Sequence, residues 1–251
     1  MIARPFTVSL QKGKLVVIKN IFKKLKNRTG KYEEVLFENL TVDTVTLDKT
    51  YLDKENIIRE FIKNPNKRFG TVGEQGEYFE KFIATVFELA GYKVSLTPLQ
   101  DKGIDIFVEN KKKKYLIQCK NYNVTSQKVK LVGESEVREF NGVTEEGEKI
   151  LITTSYFTGY VKYEEFKNIT FVDRSGIPSL LKEIVPEIYN KYEKECKKNF
   201  SGEICEICNK GVLVNKRKTD KIVLLGCSNF PNCKNMIKKV KSNISNEKNL
   251  K

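Results

Sequence analysis

Two runs, Ile104-Asp-Ile-Phe-Val108 and Tyr115-Leu-Ile-Gln-Cys-Lys120, decide the fold. Both are short and rich in β-branched and aromatic residues, and the polar turn Glu109–Lys114 between them reads as a hairpin. Alternation along the first run places Ile104, Ile106 and Val108 on one buried face and sends Asp105 to the other. In the second run Leu116, Gln118 and Lys120 share a face. The hairpin therefore gathers an acid, an amide and a lysine at its open end.

Outward from this hairpin, helical and strand patterns alternate. Phe79, Phe82, Ile83, Val86 and Ala90 recur at helical spacing, so a helix is expected over Glu74–Leu89, stopped by Gly91. Further strands are expected at Lys93–Leu96, Lys149–Thr154 and Ile169–Val172. Helices are expected around Glu134–Phe140, near Thr158–Lys167 and from about Ile177. A strand–helix–strand order implies a parallel crossover, so residues 70–193 read as one α/β domain. Residues 1–69 read as a small N-terminal segment of unassigned role. It has β-leaning runs at Phe6–Leu10, Leu15–Ile21 and Val42–Leu47, and a helix around Asp53–Lys63 that ends near Pro65. The tail, 241–251, is polar and reads as disordered.

Cysteine spacing marks a further unit over residues 200–240. Cys205-x2-Cys208 is followed, after 18 residues, by Cys227-x5-Cys233. Two such knuckles supply four thiolates, the tetrahedral set of a closed structural Zn²⁺ site with no position open for catalysis. The chain has no histidine. That excludes imidazole bases, Ser-His triads and any mixed Cys/His metal site.

The charge balance points to a polyanion. With 46 Lys plus Arg against 32 Asp plus Glu, the formal net charge is +14, and neutralising phosphates while releasing their counterions is the expected use of such an excess. A chain that merely clothes itself in solvated lysine is the alternative reading. No apolar run is long enough to span a bilayer and no leader is evident, so a cytoplasmic protein without membrane contacts is expected.

Asp105, Gln118 and Lys120 suit metal-assisted phosphodiester cleavage. Mg²⁺ takes hard oxygen ligands, here the Asp105 carboxylate, a carbonyl near Cys119, phosphate and water. Lys120 would orient or deprotonate the attacking water, or stabilise charge on the phosphate. The plainer alternative is a strand-end acid beside a solvated lysine face. Cys119 is expected to be a small buried residue facing away from this site, and Lys111–Lys114 a solvated turn.

Beyond these residues, a set of motifs resembles the Mrr-like restriction endonucleases of the PD-(D/E)xK superfamily. In order they are Gly76-Glu-Tyr-Phe79-Glu80, Gly91-Tyr92, Asp101-Lys-Gly103-Ile-Asp105, Ile117-Gln118-Cys-Lys120, Leu151-Ile-Thr153-Thr154, Phe171-Val172-Asp173 and Leu180-Leu181. The resemblance implies a restriction-endonuclease-like mixed sheet flanked by helices and Mg²⁺-dependent cleavage of DNA. Asp105 would be the metal-binding aspartate, Gln118 and Lys120 the Q-x-K pair, and Glu80 the helix glutamate that supports the metal. By itself Glu80 also fits a solvated rim position. Ile104 stands where the superfamily name has proline, and Lys102 where the family often has a small residue. Gln118, being neutral, offers one anionic ligand fewer than a (D/E)-x-K site. The role implied is restriction or genome defence, with repair or recombination cleavage and a non-cleaving DNA-binding module as alternatives. A homodimer would let both strands be cut.

The cysteine unit, in particular Gly226-Cys-Ser-Asn-Phe-Pro-Asn-Cys233, resembles the zinc ribbons at the C-termini of bacterial type I topoisomerases, which bind single-stranded DNA. On that resemblance Phe230 would offer a stacking face, or else pack in the small ribbon core. Lys216, Arg217, Lys218 and Lys221 would contact phosphates.

Overall fold

The computed structural model describes residues 50–67, 69–97 and 103–240. The β-leaning runs expected before residue 48, Asp101 and Lys102, and the tail lie outside the described residues. Helix α1 covers 50–63 and stops before Pro65. Helix α2, Val72–Leu89, starts in a reciprocal cap: Thr71 Oγ1 accepts from the Glu74 amide and the Glu74 carboxylate accepts from the Thr71 amide. Strands β1 (Lys93–Leu96), β2 (Ile106–Glu109) and β3 (Lys114–Lys120) form an antiparallel meander. Helix α3 (Glu134–Asn141) then carries the chain to β4 (Glu148–Thr153), parallel to β3, and β5 (Ile169–Val172) lies parallel to β4. Three helices follow: α4 (Ile177–Ile184), α5 (Pro186–Lys191) and α6 (Glu193–Phe200). The sheet runs β1-β2-β3-β4-β5, a mixed sheet flanked by helices as expected.

Both faces of its centre are buried, so β4 reads as an unbroken apolar run. Ile150 and Ile152 point into the larger core with α1, α2 and α4–α6, while Leu151 points into a smaller core with Val137 and Phe140 of α3. Helix α1, on the N-terminal side of the expected 69/70 boundary, supplies Ile58, Phe61 and Ile62 to the larger core. The Phe61 ring stacks on Phe82 of α2, centroids 4.2 Å apart. Cys196 and Phe200 of α6, beyond residue 193, complete the same core. An isolated helix cannot bury such an apolar stripe, and this one buries it on α2.

Two expectations change. Ile104 does not share a face with Ile106 and Val108: it packs in the smaller core beside Leu116, because regular strand geometry starts only at Ile106. Gly103, at φ +82°, turns the chain just before it, a conformation in which a side chain would be strained. The helix expected near Thr158–Lys167 does not form. One 3₁₀ turn, Tyr163–Glu165, stands there, and the amides of Thr158 and Gly159 are taken by the carbonyls of Val132 and Phe230. Long-range partners thus replace the helical ladder.

Residues 213–240 form a three-stranded antiparallel sheet of β6 (Leu213–Lys218), β7 (Ile222–Cys227) and β8 (Met236–Val240). It docks on the larger unit through Val212 and Val214 against Val129 and Tyr156, and through Asn232 Nδ2, which donates to the Gly159 carbonyl at 2.8 Å. A Cβ at Gly159 would stand 2.3 Å from the Asn229 carbonyl oxygen, so only glycine permits this approach. No helix among the described residues is long and apolar enough to cross a membrane.

Because Phe61 is 1% exposed and central to the core, Phe61→Ala is expected to destabilise the α/β unit by about 3–5 kcal/mol. Chemical denaturation monitored on that unit measures this, and an unchanged midpoint would mean that α1 is dispensable to the core.

Candidate active site and cysteine centre

Asp105 stands just ahead of β2, at the open end of the β2–β3 hairpin. Its amide donates to the Ile117 carbonyl at 2.9 Å, and its Oδ2 accepts from the Cys119 amide at 2.6 Å. Two strands thereby orient one carboxylate. Burial raises the Asp105 pKa, opposed by that amide and by Lys120. Across from it, Glu80 projects from α2. Burial pushes the Glu80 pKa up to about 7, with further upward contributions from Asp105 and Glu77 and a lowering one from Lys120. The structure therefore brings Glu80, Asp105 and Lys120 together.

Gln118 is 2% exposed, and its Oε1 is a buried acceptor with no hydrogen-bond partner among the described residues. Cys119, also buried, lies in the larger core with Ile117. It is the small buried residue expected, and burial, then Asp105, then Glu80 raise its pKa. Two partly desolvated carboxylates, with the Asp105 charge raising the Glu80 pKa, form a donor set that fits a hard divalent cation. The basic turn 111–113 lies at the opposite end of the hairpin. There the Asn110 carboxamide oxygen accepts from the amides of Lys112 and Lys113, and Lys113 pairs with Glu148 at 3.4 Å.

Sequence reasoning passed over a neighbouring group. The Tyr122 hydroxyl bonds to Glu136, and Lys130 Nζ donates to that hydroxyl at 2.8 Å while pairing with Glu136 at 3.6 Å. Burial raises the Glu136 pKa, but its partners and nearby Lys120 leave it below the ordinary value. The one available signal was position: Tyr122 stands two residues past Lys120, and Glu136 is the third residue of α3, where its carboxylate accepts from the Gly133 amide.

In the smaller unit the sulfurs of Cys205, Cys208, Cys227 and Cys233 all lie within 4.8 Å of one another. Cys205 and Cys233 are 3.8 Å apart, and Cys208 and Cys227 3.7 Å. A tetrahedron with Zn–S bonds of about 2.3 Å has edges of about 3.8 Å, so the four fit a zinc ion. Amides of Gly211 and Lys210 draw the Cys208 thiol down to about 6, while burial pushes Cys227 up to about 12. The Asn235 side chain donates to Cys205 Sγ at 3.2 Å.

The basic residues expected to meet DNA are placed unevenly. Arg217 and Lys221 line a groove of about 520 Å³, floored by Ile222 and Leu224 and shared with Lys238, which sequence reasoning missed. Lys218 is exposed at the end of β6. Lys216 lies at a bulge, half-buried over Gly226, and desolvation lowers its pKa. Phe230, 44% exposed, meets the Tyr160 ring edge-on at 6.0 Å, a contact with the larger unit and not with the ribbon core.

Comparison with known proteins gives the following. The family model Mrr_cat, described as restriction endonuclease, matches residues 73–181. No curated protein matches the chain. A solved structure described as a protein of unknown function, AF1548, aligns at 20% identity and a TM-score of 0.32 over 42% of this chain. The alignment spans 64% of that protein's length, and likeness at this level carries no argument.

Two outcomes are expected. Without metal, the folded state holds the Glu80 proton more tightly than the unfolded chain (about 7 against 4.5), so the stability linked to it is full below pH 4.5 and lost as pH rises through 7. Metal-free Glu80→Gln should therefore outlast the wild type at pH 8 by on the order of 1 kcal/mol after solvent screening, and show no advantage at pH 4. Urea denaturation at the two pH values decides it, and equal midpoints at pH 8 would refute the placement. Separately, metal analysis should find one zinc per chain in the wild type and a large loss in Cys208→Ser.

Proposed function

We propose that residues 73–181, which match the Mrr_cat restriction endonuclease family model, are a nuclease domain and that the chain is a divalent-cation-dependent DNA endonuclease serving restriction or genome defence. The observation that carries the reading is the meeting of Asp105 and Glu80, two partly buried carboxylates of which Asp105 raises the Glu80 pKa, beside Lys120, which lowers both. Asp105 and Glu80 would hold Mg²⁺, and the unpartnered Gln118 oxygen, two residues before Lys120 on β3, is a further candidate ligand. The cation would offset negative charge on the scissile phosphate and ease loss of a proton from water. Asp105 is kept in place by the Cys119 amide. Lys120 would set its ammonium against the phosphate oxygens or the attacking water. Water adds to phosphorus, the bond to the leaving oxygen breaks, and that oxygen takes up a proton.

The four-thiolate site serves as a structural centre, since closed coordination leaves no reactive position. DNA contact is assigned to the groove of Arg217, Lys221 and Lys238, whose apolar floor suits unstacked bases and whose rim suits phosphates. That groove gives weight to a second reading, cleavage of branched or partly single-stranded DNA in repair. A second copy of the chain would be needed to cut both strands at once.

Purified protein with methylated and unmethylated plasmid is expected to cut in Mg²⁺ and not in EDTA. Lys120→Ala should lower the rate by roughly two to four orders of magnitude while leaving DNA binding largely intact. Cleavage confined to branched substrates would favour the repair reading. Binding with no cleavage under any divalent ion would leave only a DNA-binding module.

A further inference from the structure

Where the smaller unit docks, the structure leaves an open polar cavity of about 320 Å³. Its walls come from the turn after α1, the end of α6 and the start of β6, with Arg174 from the segment after β5. Arg174 is 2% exposed, yet its partners are neutral oxygens: Asn66 Oδ1 at 3.2 Å, the Thr154 carbonyl at 3.0 Å and the Asn199 carbonyl. Its guanidinium also lies over the Phe200 ring at 5.5 Å. Among the described residues no carboxylate pairs with it, and none lines the cavity, whereas Lys198 adds a second cation. A guanidinium withdrawn from water normally sits against an anion, because neutral acceptors offset its desolvation only in part. Burial lowers the Arg174 pKa, with only the Tyr156 hydroxyl acting against it.

We propose that this cavity is a binding site for a phosphomonoester, held by Arg174 and Lys198 with Asn66, Asn199 and Asn215 as neutral partners. A guanidinium and an ammonium on one side of a carboxylate-free space suit a tetrahedral oxyanion. The volume is at the low end of small-molecule sites, roughly 300–1,000 Å³, which admits a mononucleotide or one strand end and excludes a duplex. Because Val212–Asn215 form part of the wall, an occupant would touch both units and favour their docked arrangement. The site uses neither Asp105 nor Lys120 and stands or falls apart from the nuclease reading.

The test is thermal unfolding and calorimetric titration of the full zinc-loaded chain without added Mg²⁺ or chelator, with inorganic phosphate against chloride at matched ionic strength. Wild-type protein should be stabilised by phosphate. Lys198→Glu should bind it roughly ten-fold more weakly or worse. Arg174 also ties three segments together, so its removal could unfold the chain, and Asn66→Asp is the decisive variant. It places a carboxylate where Arg174 already donates, and should raise the melting temperature without ligand while abolishing the phosphate effect. No phosphate stabilisation of the wild type, or equal stabilisation of both variants, would overturn the site. A nucleoside 5′-monophosphate and oligonucleotides with and without a 5′-phosphate then separate the two sources. Tighter binding of the nucleotide marks a small-molecule site, and preference for the phosphorylated oligonucleotide marks a strand end.

Discussion

The pairing of β2 with β3, in the register that sets Ile106 opposite Ile117, is the constraint on which the rest depends. It places the Cys119 amide under the Asp105 carboxylate, and so lets a desolvated acid keep a strong hydrogen bond where water is scarce. It buries Gln118 and extends Lys120 to the same strand end. The sheet is rigid here because both faces are packed, the larger core against α1 and α2 and the smaller against α3. A slip of one residue would exchange the two faces and carry the acid into the apolar interior. Glu80 joins the site only because the stripe of Phe79, Phe82 and Ile83 fixes the rotation of α2 on this sheet.

The cysteine unit depends on different physics. Its apolar core is little more than Leu213, Leu225 and the cysteines themselves, too small to offset the entropy of ordering the chain. Four thiolates at the spacing of a tetrahedron could, with a bound zinc ion, supply what packing cannot. The unit then leans on the larger one through a few close contacts. At Gly159 these contacts also replace the helix that the neighbouring sequence favours. Local propensity loses at that point because a backbone amide bonded across the junction is worth as much as one bonded within a helix, and the surrounding packing holds it there.

Charge in this protein does three separate jobs. Most lysines, such as those of the turn 111–113, stay hydrated or pair weakly at the surface, where screening leaves ion pairs of little worth. A few, Arg217, Lys221 and Lys238, gather around the apolar floor of the groove that runs from β6 and its turn across β7 to β8, the surface proposed to meet DNA. Arg174 differs from both. It is buried, hydrogen-bonded to neutral oxygens and set beside a cavity, so its charge acts at short range in a medium that screens poorly.

By itself the sequence determined what depends on short separations. The 3.6-residue stripe gave α2, period-two alternation and the polar turn gave the hairpin, and the spacing of Cys205, Cys208, Cys227 and Cys233 gave the metal-ligand set. The motif order placed Asp105, Gln118, Lys120 and Glu80 as one candidate group. Tertiary structure alone decided what depends on contacts between distant segments. It folded 50–63 into the main core, turned Ile104 to the other face, and brought Cys119 within reach of the acids. It set Phe230 against Tyr160 where the sequence left a stacking face and ribbon-core packing both open, drew Lys216 over Gly226, and added Lys238 to the groove and Arg174 to a cavity. The physical reason is the same in each case. Propensity and periodicity act over a few residues, while burial and charge depend on everything that surrounds a side chain, and most of those neighbours are far away in the chain.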